Sequence, residues 1–235
     1  MKLAIDETYL RRVLMDMLAI PSPTGFTDEM VRYVCRALDE IDVEYVLSRR
    51  GTITAELPGH DRQRLRAVAN HIDTIGAAVS SILPNGRLGL RPVGTWSSRF
   101  AEGGRVTVLS AGRALRGQVL PLLASGHAFN EKIDQLPVGW DQVEVRINSP
   151  TSSRADTRAL GVNEGDFVAF DSDPEWDDSG FVTARHLDNK AGAAAALAAL
   201  KALREAGATP ACGFQVLFTV TEEVGTGAGP GLDRR

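Results

Sequence analysis

The chain has 235 residues, enough for one large domain or two small ones with a substantial buried core. Its 26 Lys and Arg against 30 Asp and Glu give a formal net charge of -4, which removes the electrostatic case for nucleic-acid binding. The start, Met1-Lys2-Leu3-Ala4-Ile5-Asp6-Glu7, lacks a signal-peptide core, the apolar stretch 191–200 is too short to span a bilayer, and Cys35 and Cys212 are isolated, which suits a reducing, cytoplasmic setting.

Asp6 predicts a helix N-cap ahead of Leu10, Val13, Leu14, Met17 and Leu18, which recur at helical spacing. Pro21-Ser22-Pro23-Thr24-Gly25 stops that helix. A second one, capped by Thr27 or Asp28, turns Val31, Val34, Leu38 and Ile41 inward. Strands follow at 43–47, 52–57 and 65–69, the last delivering Asn70-His71-Ile72-Asp73 at its end. From Gly76 to about Phe170 the texture changes to short strands and glycine turns. Residues 77–83 and 87–93 around Pro84-Asn85-Gly86 read as a hairpin, and residues 105–109 and 114–120 as another. A strand at 143–147, a short helix at 151–160 ended by Gly161, and a strand at 167–170 complete this block. A short buried strand at 181–184, an Ala-rich helix at 189–205 with Leu197, Leu200 and Leu203, and an apolar strand at 214–220 then resume the α/β pattern. The expected organisation is an α/β domain in two parts, 1–75 and 171–235, interrupted by a β-rich insert at 76–170.

Three clusters can carry chemistry: His71 with Asp73, Asp188, and Glu222 with Glu223, each at a predicted strand end, where open α/β sheets expose side chains to a crevice. Each has a plain structural reading. Asp188 can be a helix N-cap, a lone histidine is commonly structural, and a Glu pair is commonly a solvated edge. Their conjunction is the specific signal, because a His, an Asp and a Glu supply the nitrogen and oxygen donors of a borderline metal site. Asp73 can orient the imidazole from behind, Asp188 is the natural bridge between two ions, and a neighbouring free carboxylate can act as general base. His60, His127 and His186 read as structural or supporting.

The segments His71-Ile72-Asp73-Thr74-Ile75-Gly76, Leu187-Asp188-Asn189-Lys190-Ala191-Gly192 and Thr221-Glu222-Glu223-Val224-Gly225 resemble three signature segments of the tetrahedral aminopeptidase family, co-catalytic metallopeptidases also known as glutamyl aminopeptidases or endoglucanases (metallopeptidase family 42). The resemblance runs to about residue 228. It implies a zinc-peptidase-like mixed sheet flanked by helices, with a PDZ-like dimerisation domain as the insert. It also implies an aminopeptidase that removes N-terminal residues from short peptides with two divalent ions, zinc or cobalt. His71 would bind one ion with Asp73 orienting it, Asp188 would bridge both, Glu223 would bind the second, and Glu222 would be the base. Homodimers assembling into dodecameric shells are implied as well. Gly94-Thr95-Trp96-Ser97-Ser98-Arg99-Phe100-Ala101-Glu102 and Val138-Gly139-Trp140-Asp141 resemble a subgroup encoded beside genes for the osmolyte N-acetylglutaminylglutamine amide. One departure is plain. Family members continue well past the Glu-Glu segment with an Asp and a His ligand, whereas Gly229-Pro230-Gly231-Leu232-Asp233-Arg234-Arg235 does not resemble family sequence, and Asp233 falls too soon. A truncated chain of weak or no activity is the expectation. A deacylase of an osmolyte-like acyl-dipeptide and a non-catalytic oligomerisation module stay open.

Overall fold

Asp6 caps the first helix as its position predicts: its Oδ1 accepts from the Tyr9 backbone N–H at 2.9 Å. Helix α1 (Glu7–Ala19) buries Val13, Leu14, Met17 and Leu18. The structure is a computed structural model that describes residues 3–227; the stretch 229–235, with Asp233, lies outside the described residues. After α1 come α2 (Asp28–Glu40), β1 (Tyr45–Leu47), β2 (Ile53–Leu57) and β3 (Asp61–His71). The next stretch forms β4 (Gly76–Ile82), β5 (Leu88–Val93), β6 (Arg105–Ser110), β7 (Arg113–Pro121), the short α3 (Gly126–Phe129), β8 (Val143–Ile147), α4 (Arg154–Ala159) and β9 (Phe167–Phe170). The chain then returns through β10 (Glu175–Trp176), β11 (Val182–Thr183), α5 (Leu187–Glu205) and β12 (Cys212–Thr219). Residues Ile75–Asp171 form one compact unit, and the described residues on either side of them form the other.

The first unit is built on a four-stranded mixed sheet of order β1-β2-β12-β3, with β12 antiparallel to β2 and parallel to β3. Thr219 lies opposite His71, so the carboxyl ends of β12 and β3 emerge side by side. Val216 and Phe218 of β12 pack with Met30 and Leu38 of α2 and with Leu197 and Leu200 of α5 in one core. Ala193, Ala194 and Ala198 are buried on α5, and small residues there let the helix approach its neighbours closely. Among the described residues no helix is long and apolar enough to cross a membrane.

The second unit closes six strands into a barrel in the order β4-β5-β8-β7-β6-β9. Gly86 takes φ 81° at the turn that Asn85-Gly86 predicts. The two tryptophans that drew notice in the sequence pack inside this unit: Trp96 meets Trp140 edge-on at 4.7 Å and Phe170 at 4.8 Å.

The predicted buried strand at 181–184 is not in the main sheet. Val182 and Thr183 pair with β10 in a separate two-stranded ladder whose Val182 and Trp176 are half-buried against the core, and Phe181 is 74% exposed. The cause is local. The Asp177 carboxylate accepts from the Ser179 and Phe181 backbone N–H groups at 2.9 and 3.1 Å, closing a tight turn that folds the segment back onto Trp176. Asp188 therefore arrives from a small ladder rather than from a sheet strand.

Candidate metal centre

His71 ends β3, and its ring is fixed from behind by Asp73. The His71 Nδ1–H donates to the Asp73 main-chain carbonyl at 3.0 Å, an acceptor only, so the proton sits on Nδ1 and Nε2 is aimed forward. The Asp73 carboxylate, fully buried, lies 3.5 Å from Nδ1. That carboxylate also accepts from the Thr24 hydroxyl at 2.6 Å and from the backbone N–H groups of Glu222 and Glu223 at 3.2 and 3.3 Å. Asp73 thus ties the end of β3 to the turn that follows β12. Burial pushes its pKa up, but the bonds from His71, Thr24 and the two backbone amides outweigh this and hold the group below the usual carboxylate range.

Ahead of the ring, Nε2 lies 3.0 Å from Asp188 Oδ1 and 3.7 Å from Glu222 Oε2. Asp188 has extended dihedrals (φ -81°, ψ 108°) before the regular turns of α5, and its side chain is 88% exposed. It reaches across to His71 rather than back onto its own helix. The Asp188–Asn189 peptide is cis. The three groups line a cleft of about 280 Å³ with Asn70, Asn189 and Thr219. Glu223 is half-buried and, among the described residues, does not belong to that lining. Burial lowers the His71 pKa, but bonds from the Asp73 carboxylate, the Asp73 main chain and Asp188 prevail and lift it to about 9. The ring thus lies between the Asp73 and Asp188 carboxylates, which hold its pKa above the ordinary value.

A cation suits these donors. Once Nε2 loses its proton, a nitrogen lone pair and carboxylate oxygens face one another, the donor set of zinc or cobalt. Donors on one tetrahedral ion with bonds of about 2.0–2.1 Å stand roughly 3.3 Å apart, and the 3.0 Å between His71 Nε2 and Asp188 Oδ1 is close to that spacing. The set is partial: among the described residues, no group of three or more His, Cys, Asp or Glu side chains is arranged to hold a metal ion.

Sequence reasoning missed three supporting residues. Thr24 was read only as part of a helix stop. Asn70 is 7% exposed, with a buried amide nitrogen lacking a partner. Lys190 is 1% exposed, its Nζ donating to the Ile20 carbonyl at 2.8 Å. A lysine inside an otherwise small, apolar helix start was the available signal.

A mixed α/β sheet, with an imidazole and two carboxylates lining one cleft, defines an α/β protein with a candidate metal centre. The profile of the M42 glutamyl aminopeptidases matches residues 51–232, and the chain belongs to that family. A relative from Bacillus subtilis (strain 168), YhfE, which provisionally carries an aminopeptidase name, is 33% identical over 216 residues, covering 92% of this chain and 62% of its own length. The fold matches a TET aminopeptidase from a marine-sediment Thaumarchaeota archaeon at a TM-score of 0.83 and 23% identity, over 93% of this chain and 60% of that one. It also matches the TET1 peptidase of Pyrococcus horikoshii at 0.77 and 24%, over 92% and 62%. The chain therefore spans only 60–62% of the length of these three proteins.

Proposed function

We propose that this chain carries the greater part of a metal-dependent aminopeptidase site acting on short peptides. The observation that supports it most is the convergence of His71 Nε2 with the carboxylates of Asp188 and Glu222, 3.0 and 3.7 Å away in one cleft. His71 and Asp188 would hold a divalent ion, zinc or cobalt, with Asp188 shared by a second ion that Glu223 would help bind. Such ions, when bound, supply Lewis acidity and activate the attacking water. Asp73 keeps the His71 ring in one tautomer and turned toward the cleft. Glu222, exposed at the cleft rim, takes the proton from the attacking water and passes it to the departing amine. The carboxylates suit a substrate with a free, positively charged amino terminus. The insert is proposed as the contact through which copies form homodimers and larger assemblies; the Pyrococcus horikoshii relative is described as assembling into a tetrahedron or a large octahedral shell. Two free cysteines accord with a cytoplasmic setting.

The test compares free-amine peptides with their N-acetylated counterparts on metal-loaded protein extended to the length of its relatives, since the 235-residue chain itself is expected to be weakly active or inactive. Cleavage confined to the free-amine set is expected, and cleavage of the blocked set alone would assign an acyl hydrolase instead. In a version extended to the length of its relatives, Glu222→Gln should keep metal uptake while losing about 100-fold or more in rate.

A further inference from the structure

Lys190 is among the largest fully buried side chains described, and among those residues no carboxylate pairs with it. A buried ammonium without a counter-charge is costly, and lysine is almost never found in such a place unless its tip has work to do. The tip lies 2.8 Å from the carbonyl of Ile20, the residue that caps the carboxyl end of α1. That end carries the unpaired carbonyls of the helix, so a hydrogen-bond donor is favoured there. Lys190 therefore ties the start of α5, two residues after Asp188, to the end of α1.

The segment that receives this bond has a second attachment. Ser22 O accepts from Thr74 N at 2.9 Å, Thr24 N donates to Thr74 O at 3.1 Å, and the Thr24 hydroxyl donates to Asp73 Oδ2 at 2.6 Å. Pro21 and Pro23 stiffen the five-residue segment 20–24 that carries both attachments by fixing φ. One end of residues 20–24 thus holds the segment that carries Asp188, and the other holds Asp73, the two carboxylates on opposite sides of the His71 ring.

We propose that Lys190 is a positioning residue: with Thr24 it makes residues 20–24 a two-armed brace that sets Asp188 against the Asp73–His71 pair. The proposal rests on the metal-centre reading above for its consequence, and on the hydrogen bonds alone for the brace itself. Lys190→Met keeps length and burial but removes the donor; Thr24→Val removes the second arm, and Thr24→Ser retains it.

Two measurements on the 235-residue chain test this. The first is amide hydrogen exchange on metal-free protein. Lys190→Met and Thr24→Val should speed exchange at Thr74, Glu222 and Glu223, while Val216–Phe218 in β12 keep wild-type protection and Thr24→Ser behaves as wild type. A uniform loss at all these amides, or none, would overturn the brace. The second is a Co²⁺ titration followed by visible absorption. Both brace-breaking variants should bind Co²⁺ roughly tenfold more weakly, with an altered spectrum. Wild-type affinity and spectrum in Lys190→Met would overturn the positioning role. A wild-type chain that takes up no Co²⁺ but shows the predicted exchange pattern would instead sink the metal reading and leave the brace standing.

Discussion

At the scale of single residues, Asp73 is the hub of the site. It is fully buried, yet its oxygens meet the Thr24 hydroxyl and two backbone amides, and its acid–base pairing with His71 sets opposite pH limits. The folded pKa of His71, about 9, lies above its ordinary value of 6.5. In metal-free protein its stabilisation is therefore fully present below pH 6.5 and lost as pH rises through 9. Asp73 is depressed below its ordinary 3.8, so its contribution is present above that value and disappears on acidification. Burial pushes the Lys190 amine down to about 7, which works in the opposite sense over the same range, so the His71 effect is read as a difference. Urea midpoints from pH 6 to 10 should fall relative to those of His71→Asn across the His71 window, and parallel profiles would refute the assignment. Metal must displace the Nε2 proton, so uptake should release a proton and tighten with rising pH up to about 9.

The candidates His71, Asp188 and Glu222 stood out in the sequence because each stands at an abrupt change of pattern. In the structure these three side chains lie near one another, whereas Glu223, the other candidate ligand, does not line their cleft. Thr24 and Lys190 were not, since hydrogen bonds such as Thr24 to Asp73 and Lys190 to Ile20 join residues 49 and 170 positions apart. Periodicity carries no information about such pairs.

At the scale of elements, long periodic segments were read correctly. Helices α1 and α2 follow their apolar spacing, whereas β8 is a strand as expected but buries Glu144 on the face its alternation assigns to solvent. Residues 181–184 failed because four apolar or small residues satisfy a buried-strand pattern, while the outcome was set by the Asp177 turn just upstream. Strand β3 proved longer than its apolar stretch, since backbone pairing to β12 starts at Asp61 among polar residues. The entry to β3 is tightly constrained. A Cβ at Gly59 would stand 2.0 Å from the Cys212 backbone carbon and 2.3 Å from its oxygen, where no flexible side chain can yield. His60 N and Asp61 N donate to Pro210 O and Ala211 O at 2.9 and 3.0 Å across the same approach. Gly59→Ala should therefore destabilise by about 2 kcal/mol or more by denaturant unfolding; a change within about 0.5 kcal/mol, the range of neutral surface substitutions, would mean that the two strands do not approach as described.

At the scale of the whole molecule, an α/β unit and a barrel unit each keep a separate apolar core, one around Phe218 and Leu197, the other around Val106 and Val168. In the sequence the change from helical to strand periodicity comes near Gly76; the barrel unit comprises Ile75–Asp171. Barrel closure was not legible, because which strand ends meet depends on long-range pairings such as β6 with β9 and β4 with β9. The barrel unit exposes Phe100, Leu122 and Val138, at 66%, 46% and 54%. If the proposed assembly uses this unit, light scattering should give a multiple of the chain mass, and Phe100→Glu with Val138→Glu should reduce it. A monomeric wild-type chain, or an unaltered multimer in the variant, would count against that role.

The most direct test of the account is calorimetric titration of the 235-residue chain with Zn²⁺ or Co²⁺, alongside Asp188→Ala and Glu222→Gln. Saturable uptake by the wild type, abolished by Asp188→Ala and retained by Glu222→Gln, is the predicted result. Absence of uptake by the wild type, or full uptake by Asp188→Ala, would contradict it.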